Sequence, residues 1–100
     1  METYRHEKKE LELYLENTEK LYKRKKCFVQ NVRRKLKRGT YDADKAPQLW
    51  LYWVTEGAQR YCQEYGCKMR DSFPIELRRE IAAEVAKDEL EEIQGNPRRN

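Results

Sequence analysis

Residues 3–38 contain neither proline nor glycine, and apolar side chains recur through them at helical spacing. At about 100° per residue these side chains fall on one side of a helix. The stripe comprises Tyr4, Leu11, Tyr14, Leu15, Leu21, Tyr22, Phe28, Val29, Val32 and Leu36. This pattern predicts one long helix over residues 3–38 that ends at Gly39, with Asn17-Thr18 as the one plausible break.

The next segment carries the cleanest helical pattern in the chain and predicts a second helix over about residues 43–65. Its apolar face comprises Ala46, Leu49, Trp50, Trp53, Val54, Gly57, Ala58, Tyr61, Cys62 and Tyr65. Asp42 or Asp44 can cap its start, and Pro47 is tolerated in the first turn. Gly57 in mid-face costs about 1 kcal/mol relative to alanine. A close helix–helix approach there would offset that cost.

Residues 67–73 are expected to form a loop, with Ser72 as a cap for a third helix over about residues 74–93 and a loose tail at 96–100. We therefore expect an all-α single domain over residues 1–100. A long N-terminal helix would pack on a two-helix hairpin, giving three helices, or four if the first breaks near residue 17.

Helix length bears on self-association. The first helix would run about 54 Å and its partners about 30–35 Å. Because an overhanging apolar stripe is unfavourable in water, we expect a homo-oligomer formed through the long N-terminal helix. A break at residue 17 is the competing interpretation.

The charges are strongly segregated along a chain whose net charge is +4. Residues 20–38 hold ten Lys or Arg and no Asp or Glu, whereas residues 71–93 are rich in acidic side chains. Ten like charges repel one another on one helix, so an anionic partner is expected nearby. Nucleic-acid phosphates would supply it, because lysine and arginine neutralise them with counterion release.

The expected contact residues are the cations that project away from the apolar stripe, together with Tyr52, an aromatic that points away from the core face. They are Lys20, Lys23, Arg24, Lys26, Arg34, Arg38 and Tyr52. Two other interpretations stay open: a solvated face, or neutralisation by the acidic third helix. The acids of that helix are Glu76, Glu80, Glu84, Asp88, Glu91 and Glu92.

Other functions have little support in the sequence. His6 and Ser72 stand far apart, so no nucleophile–base arrangement is suggested and we expect no enzyme. Cys27, Cys62 and Cys67 lack zinc-site spacing and are expected to be reduced thiols, with no metal or other cofactor. The longest apolar run, residues 49–54, is too short to span a membrane, and no signal peptide is recognisable. We therefore expect a soluble cytoplasmic protein without membrane contact.

One part of the chain resembles a known group of proteins. The residues concerned are Arg38-Gly39-Thr40-Tyr41-Asp42, Ala46, Leu49-Trp50, Tyr61, Glu64, Phe73-Pro74 and Arg78. This pattern resembles small helical proteins of unassigned function encoded by bacteriophages and related mobile elements, over residues 34–93. The resemblance implies a phage-like setting and assigns no catalytic residue.

These observations favour a non-enzymatic binding protein whose basic helical face engages a nucleic-acid backbone or a nucleic-acid-handling complex. The alternatives are a phage-encoded inhibitor or accessory factor that acts on a host protein, and a structural, self-associating helical module. The partner is accordingly either nucleic acid or an acidic protein surface.

Overall fold

The computed structural model describes residues 4–95, and within this range it contains five α-helices and no strand. Helix α1 spans Arg5–Asn17, α2 Glu19–Arg38, α3 Ala46–Tyr65, α4 Met69–Ser72 and α5 Ile75–Gln94. The predicted all-α class is therefore confirmed. The tail predicted at 96–100 lies outside the described residues.

The N-terminal segment is two helices and not one. Thr18 adopts an extended conformation, with φ −92° and ψ 116°, between α1 and α2. Its N–H donates to the carbonyl oxygen of Tyr14 at 3.0 Å, and its own carbonyl accepts from the N–H of Tyr22 at 2.9 Å. The long-helix prediction is wrong, and the alternative with a break near residue 17 is confirmed. A straight helix of about 54 Å would also exceed the longest dimension of the molecule, 42 Å.

The bend is organised around Gly57 of α3. A Cβ at this position would collide with Cδ2 of Leu15 and lie 3.5 Å from Cδ1 of Leu21, so α1 and α2 meet α3 at one point. Trp53 fixes the start of α2 from the same side, because its indole N–H donates to the carbonyl oxygen of Leu21 at 2.8 Å. The close helix approach predicted at Gly57 is confirmed.

This bend removes the reason for expecting a second chain. Both halves of the N-terminal segment pack on α3, and both also reach α5. The overhanging apolar stripe that led us to expect a homo-oligomer through a long N-terminal helix is therefore absent from the described residues.

The core lies where α3 and α5 make the most extensive interhelical contact. Trp50 and Trp53 are buried there as predicted, and the rings of Trp50 and Phe28 meet edge to face at 5.4 Å. Other buried side chains from all four long helices and the α4–α5 junction complete it: Leu11, Leu15, Leu21, Val54, Ala58, Phe73, Leu77 and Ile81. Of the predicted apolar stripe on α2, Leu21 and Val32 are buried, Phe28 and Val29 are half-buried, and Tyr22 is 48% exposed, contrary to the prediction.

The predicted helix starts need correction. Helix α3 begins at Ala46 without a side-chain cap. Asp42 instead closes a turn, accepting the N–H of Asp44 on Oδ1 at 2.9 Å. Ser72 does not cap the last helix, because it belongs to α4, which lies inside the predicted 67–73 loop, and Pro74 precedes α5.

Helix α1 is attached to α5 by charge as well as by apolar contact. The Lys8 ammonium lies 2.9 Å from carboxylate oxygens of both Glu80 and Glu84. Hydrogen bonds to these two carboxylates raise the pKa of Lys8. Part of the acidic charge of α5 is therefore used inside the fold.

Glu12 lies one turn from Lys8. Burial raises the pKa of the Glu12 carboxyl more than the Lys8 ammonium lowers it, and Glu84, Glu16 and Glu80 add repulsion. A carboxyl whose pKa is higher in the folded protein costs stability when charged. That cost is present above the folded pKa and disappears as the pH falls to the unfolded pKa. Because Glu12 is only partly buried, solvent screens much of that cost. We expect Glu12→Gln to raise the free energy of unfolding at pH 7 by roughly 0.5 kcal/mol or less.

Urea denaturation at pH 7 and at pH 4 measures this effect. The gain from Glu12→Gln should shrink at the lower pH, where the native carboxyl is protonated. Glu91→Gln is the matched control because Glu91 is an exposed carboxylate on α5, and it should leave stability nearly unchanged. A Glu12→Gln variant less stable than the parent at pH 7 would contradict the account.

Candidate nucleic-acid interface

The exposed cations of α2 form one surface, which we call the basic face. Because Leu21, Phe28 and Val32 turn toward the core, the opposite side of the helix is left to solvent. All six predicted α2 contact residues are exposed: Lys20, Lys23, Arg24, Lys26, Arg34 and Arg38. From the first to the last the face extends about 27 Å along the helix axis.

The N-terminal half of the basic face is partly neutralised. Lys23 pairs with Glu19 of its own helix at 3.1 Å, and Arg24 pairs with Glu56 of α3 at 3.0 Å. The Lys26 ammonium lies 4.8 Å from the ring centroid of Tyr22. This half retains positive charge, but several of its side chains already have a partner inside the molecule.

Lys25 lies within the apolar stripe of α2, and its ammonium is paired with acidic side chains of other helices. Its side chain is only 20% exposed, and its ammonium lies 3.3 Å from Glu89 of α5 and 3.7 Å from Glu16. The same ammonium lies 5.7 Å from the ring centroid of Trp53. The aliphatic stem of Lys25 is thereby buried while the charge stays paired.

The C-terminal half of the basic face is different. Five cations fall in its last two turns, and we call them the C-terminal cation cluster: Arg33, Arg34, Lys35, Lys37 and Arg38. Within residues 4–95, none of the five has a carboxylate at ion-pair distance. They suit the negative end of the helix dipole, but no acidic side chain of the described fold compensates them.

The acidic helix α5 therefore does not neutralise the basic face as a whole. Its Glu80 and Glu84 hold Lys8 of α1, and its Glu89 holds Lys25. Among the described residues, Lys25 is the only cation of the 20–38 block paired with α5. The neutralisation interpretation thus accounts for one of the ten charges.

Tyr52 lies beside the basic face on a neighbouring helix. Its side chain is 75% exposed and borders an open groove of about 1080 Å³ between α3 and α5. Arg24 lines this groove, so the groove adjoins the basic face. The structure thus brings Tyr52 near Arg24, whereas the C-terminal cation cluster lies further along α2.

Three cations near this surface were missed from the sequence because they belong to segments of balanced or acidic charge. Arg60 lines a depression of about 330 Å³ with Lys20, Lys23 and Arg24. Arg79 is exposed and lines the α3–α5 groove with Arg78. The Arg78 guanidinium is held in place, donating to the carbonyl oxygen of Phe73 at 2.8 Å.

Metal binding and membrane spanning find no support in the part of the chain that the structure describes. No group of three or more His, Cys, Asp or Glu side chains among residues 4–95 is placed to hold a metal ion. His6 is exposed and lies 3.7 Å from Glu10 of the same helix. None of the helices in this part of the chain is long and apolar enough to cross a bilayer.

Comparisons with known proteins do not extend this description. Family models, curated protein sequences and solved structures all yield no match for the chain.

Proposed function

We propose that this protein is a non-enzymatic binding protein that engages the phosphate backbone of nucleic acid through the basic face of α2. One observation carries the proposal: four members of the C-terminal cation cluster are exposed and Lys35 is half-buried, and none of the five has an acidic partner in the described fold. Uncompensated Lys and Arg side chains on a rigid helix are suited to neutralising phosphates.

The two halves of the basic face would contribute unequally. Phosphate contacts by Lys23 or Arg24 must compete with the ion pairs to Glu19 and Glu56. Arg34 and Arg38 have no such competitor among residues 4–95 and lie one helical turn apart on the same side. Affinity should therefore depend more on the C-terminal half than on the N-terminal half.

Sequence readout is expected to be weak. Between the two halves the helix carries Cys27 and Gln30, which are exposed, and Asn31, which is half-buried. Gln30 and Asn31 are the two side chains of this row suited to reading a base edge, so readout would be confined to one or two base pairs. Tyr52 could stack on an unpaired base beside Arg24, which would favour single strands over duplexes. The proposal therefore predicts binding to many sequences with a strong salt dependence.

Titration of labelled single- and double-stranded oligonucleotides at several salt concentrations tests this proposal. For a duplex, log K should fall with log salt at a slope near −4 to −5, which corresponds to about five neutralised phosphates. Unrelated sequences should bind with similar affinity. An absence of binding at low salt would rule the proposal out.

A protein partner is the second candidate function, and the groove beside Tyr52 favours it. Leu51 and Ile75 contribute apolar surface to this groove, and Arg79 adds positive charge. Arg24 also lines it and is paired with Glu56 of the same groove. Such a surface fits an acidic protein, in keeping with an inhibitor or accessory factor of a host machine. A stable complex with one protein that persists after nuclease treatment would favour this candidate.

A further inference from the structure

Two thiols meet at the end of α3, on a part of the fold that the proposed function does not use. Cys62 lies in the last turn of α3, and Cys67 lies two residues beyond its end. Their sulfur atoms are 2.7 Å apart. A disulfide bond measures about 2.05 Å, so only a small movement separates this contact from bond length.

The backbone holds the two cysteines together through a left-handed turn. Gly66 has a φ of 73°, and its N–H donates to the carbonyl oxygen of Cys62 at 2.8 Å. The N–H of Cys67 reaches the same oxygen at 3.1 Å. In this helix-ending motif the side chains at these two positions come into contact, so the thiol contact is a consequence of the fold.

The two thiols differ in solvent exposure. Cys62 is buried in the core, whereas Cys67 is half-buried. Burial, followed by the hydrogen bond with Cys67, raises the pKa of the Cys62 thiol to about 12. Since the thiolate is the reactive form, Cys67 is the thiol that an external disulfide meets first.

We propose that Cys62 and Cys67 form a reversible intramolecular disulfide by exchange with glutathione disulfide. The Cys67 thiolate attacks one sulfur of glutathione disulfide, whose S–S bond breaks and releases one glutathione thiolate. Cys62 then loses its proton and attacks the Cys67 sulfur, which releases the second glutathione. The cysteine pair loses two electrons and two protons, and glutathione disulfide gains them as two glutathione thiols.

The experiment uses the full chain with Cys27→Ser, because Cys27 is an exposed third thiol that would otherwise form its own adducts. The protein is equilibrated in glutathione redox buffers, acid-quenched and alkylated. Trypsin then releases residues 61–68, which contain both cysteines, as one peptide. The expected product is this peptide without glutathione or alkyl groups and lighter by two hydrogens.

Two measurements make the proposal falsifiable. The oxidised-to-reduced ratio should be at least about tenfold higher for the folded protein than in denaturant, because the fold holds the thiols together. By linkage, the oxidised protein should also have the higher melting temperature. An equal or lower ratio in the folded protein would overturn the proposal, as would glutathione adducts on Cys67 that never close.

The variant Cys62→Ser in the same background is the matched control. It retains Cys67 and should accumulate one stable glutathione adduct, which identifies the first step. With both cysteines present, ring closure should accelerate about tenfold per pH unit near neutrality. Burial, the main cause of the raised pKa of Cys62, persists in the mixed disulfide and keeps this thiol mostly protonated there. A closure rate independent of pH would contradict the second step, in which Cys62 loses its proton before it attacks the Cys67 sulfur.

Discussion

Reversing two charges, Arg34→Glu with Arg38→Glu, is expected to weaken duplex binding about a hundredfold at roughly 0.1 M salt. Both side chains are exposed and have no carboxylate partner among residues 4–95. Each lost phosphate contact removes about 0.9 from the salt slope, so the slope should flatten by about 2. Fluorescence anisotropy at four or more salt concentrations measures both quantities.

The matched control is Lys9→Glu with Lys87→Glu. These exposed lysines lie on α1 and α5, and their reversal changes the net charge by the same amount. The control should lose affinity only modestly and keep most of the salt slope, since it changes the overall electrostatic potential of the protein but removes no phosphate contact. Equal losses in the two double variants would show that net charge, and not the basic face, drives binding.

The largest expected effect on stability comes from Gly57→Val, which should lower the free energy of unfolding by about 3 kcal/mol. A Cβ at residue 57 would collide with Cδ2 of Leu15 and lie 3.2 Å from its Cγ. Leu15 is only 2% exposed, so its side chain has little room to move. Urea denaturation of the parent and the variant measures the loss.

A double-mutant cycle separates this steric effect from other causes. In the parent chain Gly57→Ala should be destabilising, because overpacking of about 1–3 kcal/mol exceeds the helix-propensity gain of about 1 kcal/mol. In a Leu15→Ala background the obstruction is gone, so Gly57→Ala should become stabilising. If Gly57→Ala changed the free energy of unfolding with the same sign in both backgrounds, the close approach of α1 to α3 at Gly57 would be contradicted.

The sequence predicts the helices well and the bend between α1 and α2 poorly. The apolar stripe keeps its phase through Thr18, since a single extended residue shifts the pattern too little for periodicity to register. What distinguishes one helix from two is tertiary: the space that Gly57 leaves for Leu15 and Leu21, and the hydrogen bond from Trp53. Gly57 itself was a usable signal, because a glycine on an apolar helix face predicts a close neighbour.

The sequence likewise predicts which side chains of the candidate site are exposed, but not which of them form ion pairs. Periodicity correctly places Lys20, Arg34 and Arg38 on the solvent side of the helix and Tyr52 away from the core. It does not indicate which cations are already paired, because that depends on distances between helices, as in the pair of Arg24 with Glu56. The distinction between the two halves of the basic face therefore becomes visible only in three dimensions.

The most direct test of the account is to map which amides respond to a short DNA duplex, using nuclear magnetic resonance on ¹⁵N-labelled protein at low salt. The account predicts that shift changes are largest in residues 33–38, smaller in residues 20–26, and small along α1 and α5. Changes centred on α1 and α5, or binding that leaves residues 33–38 unaffected, would contradict the claim that the basic face of α2 contacts the backbone.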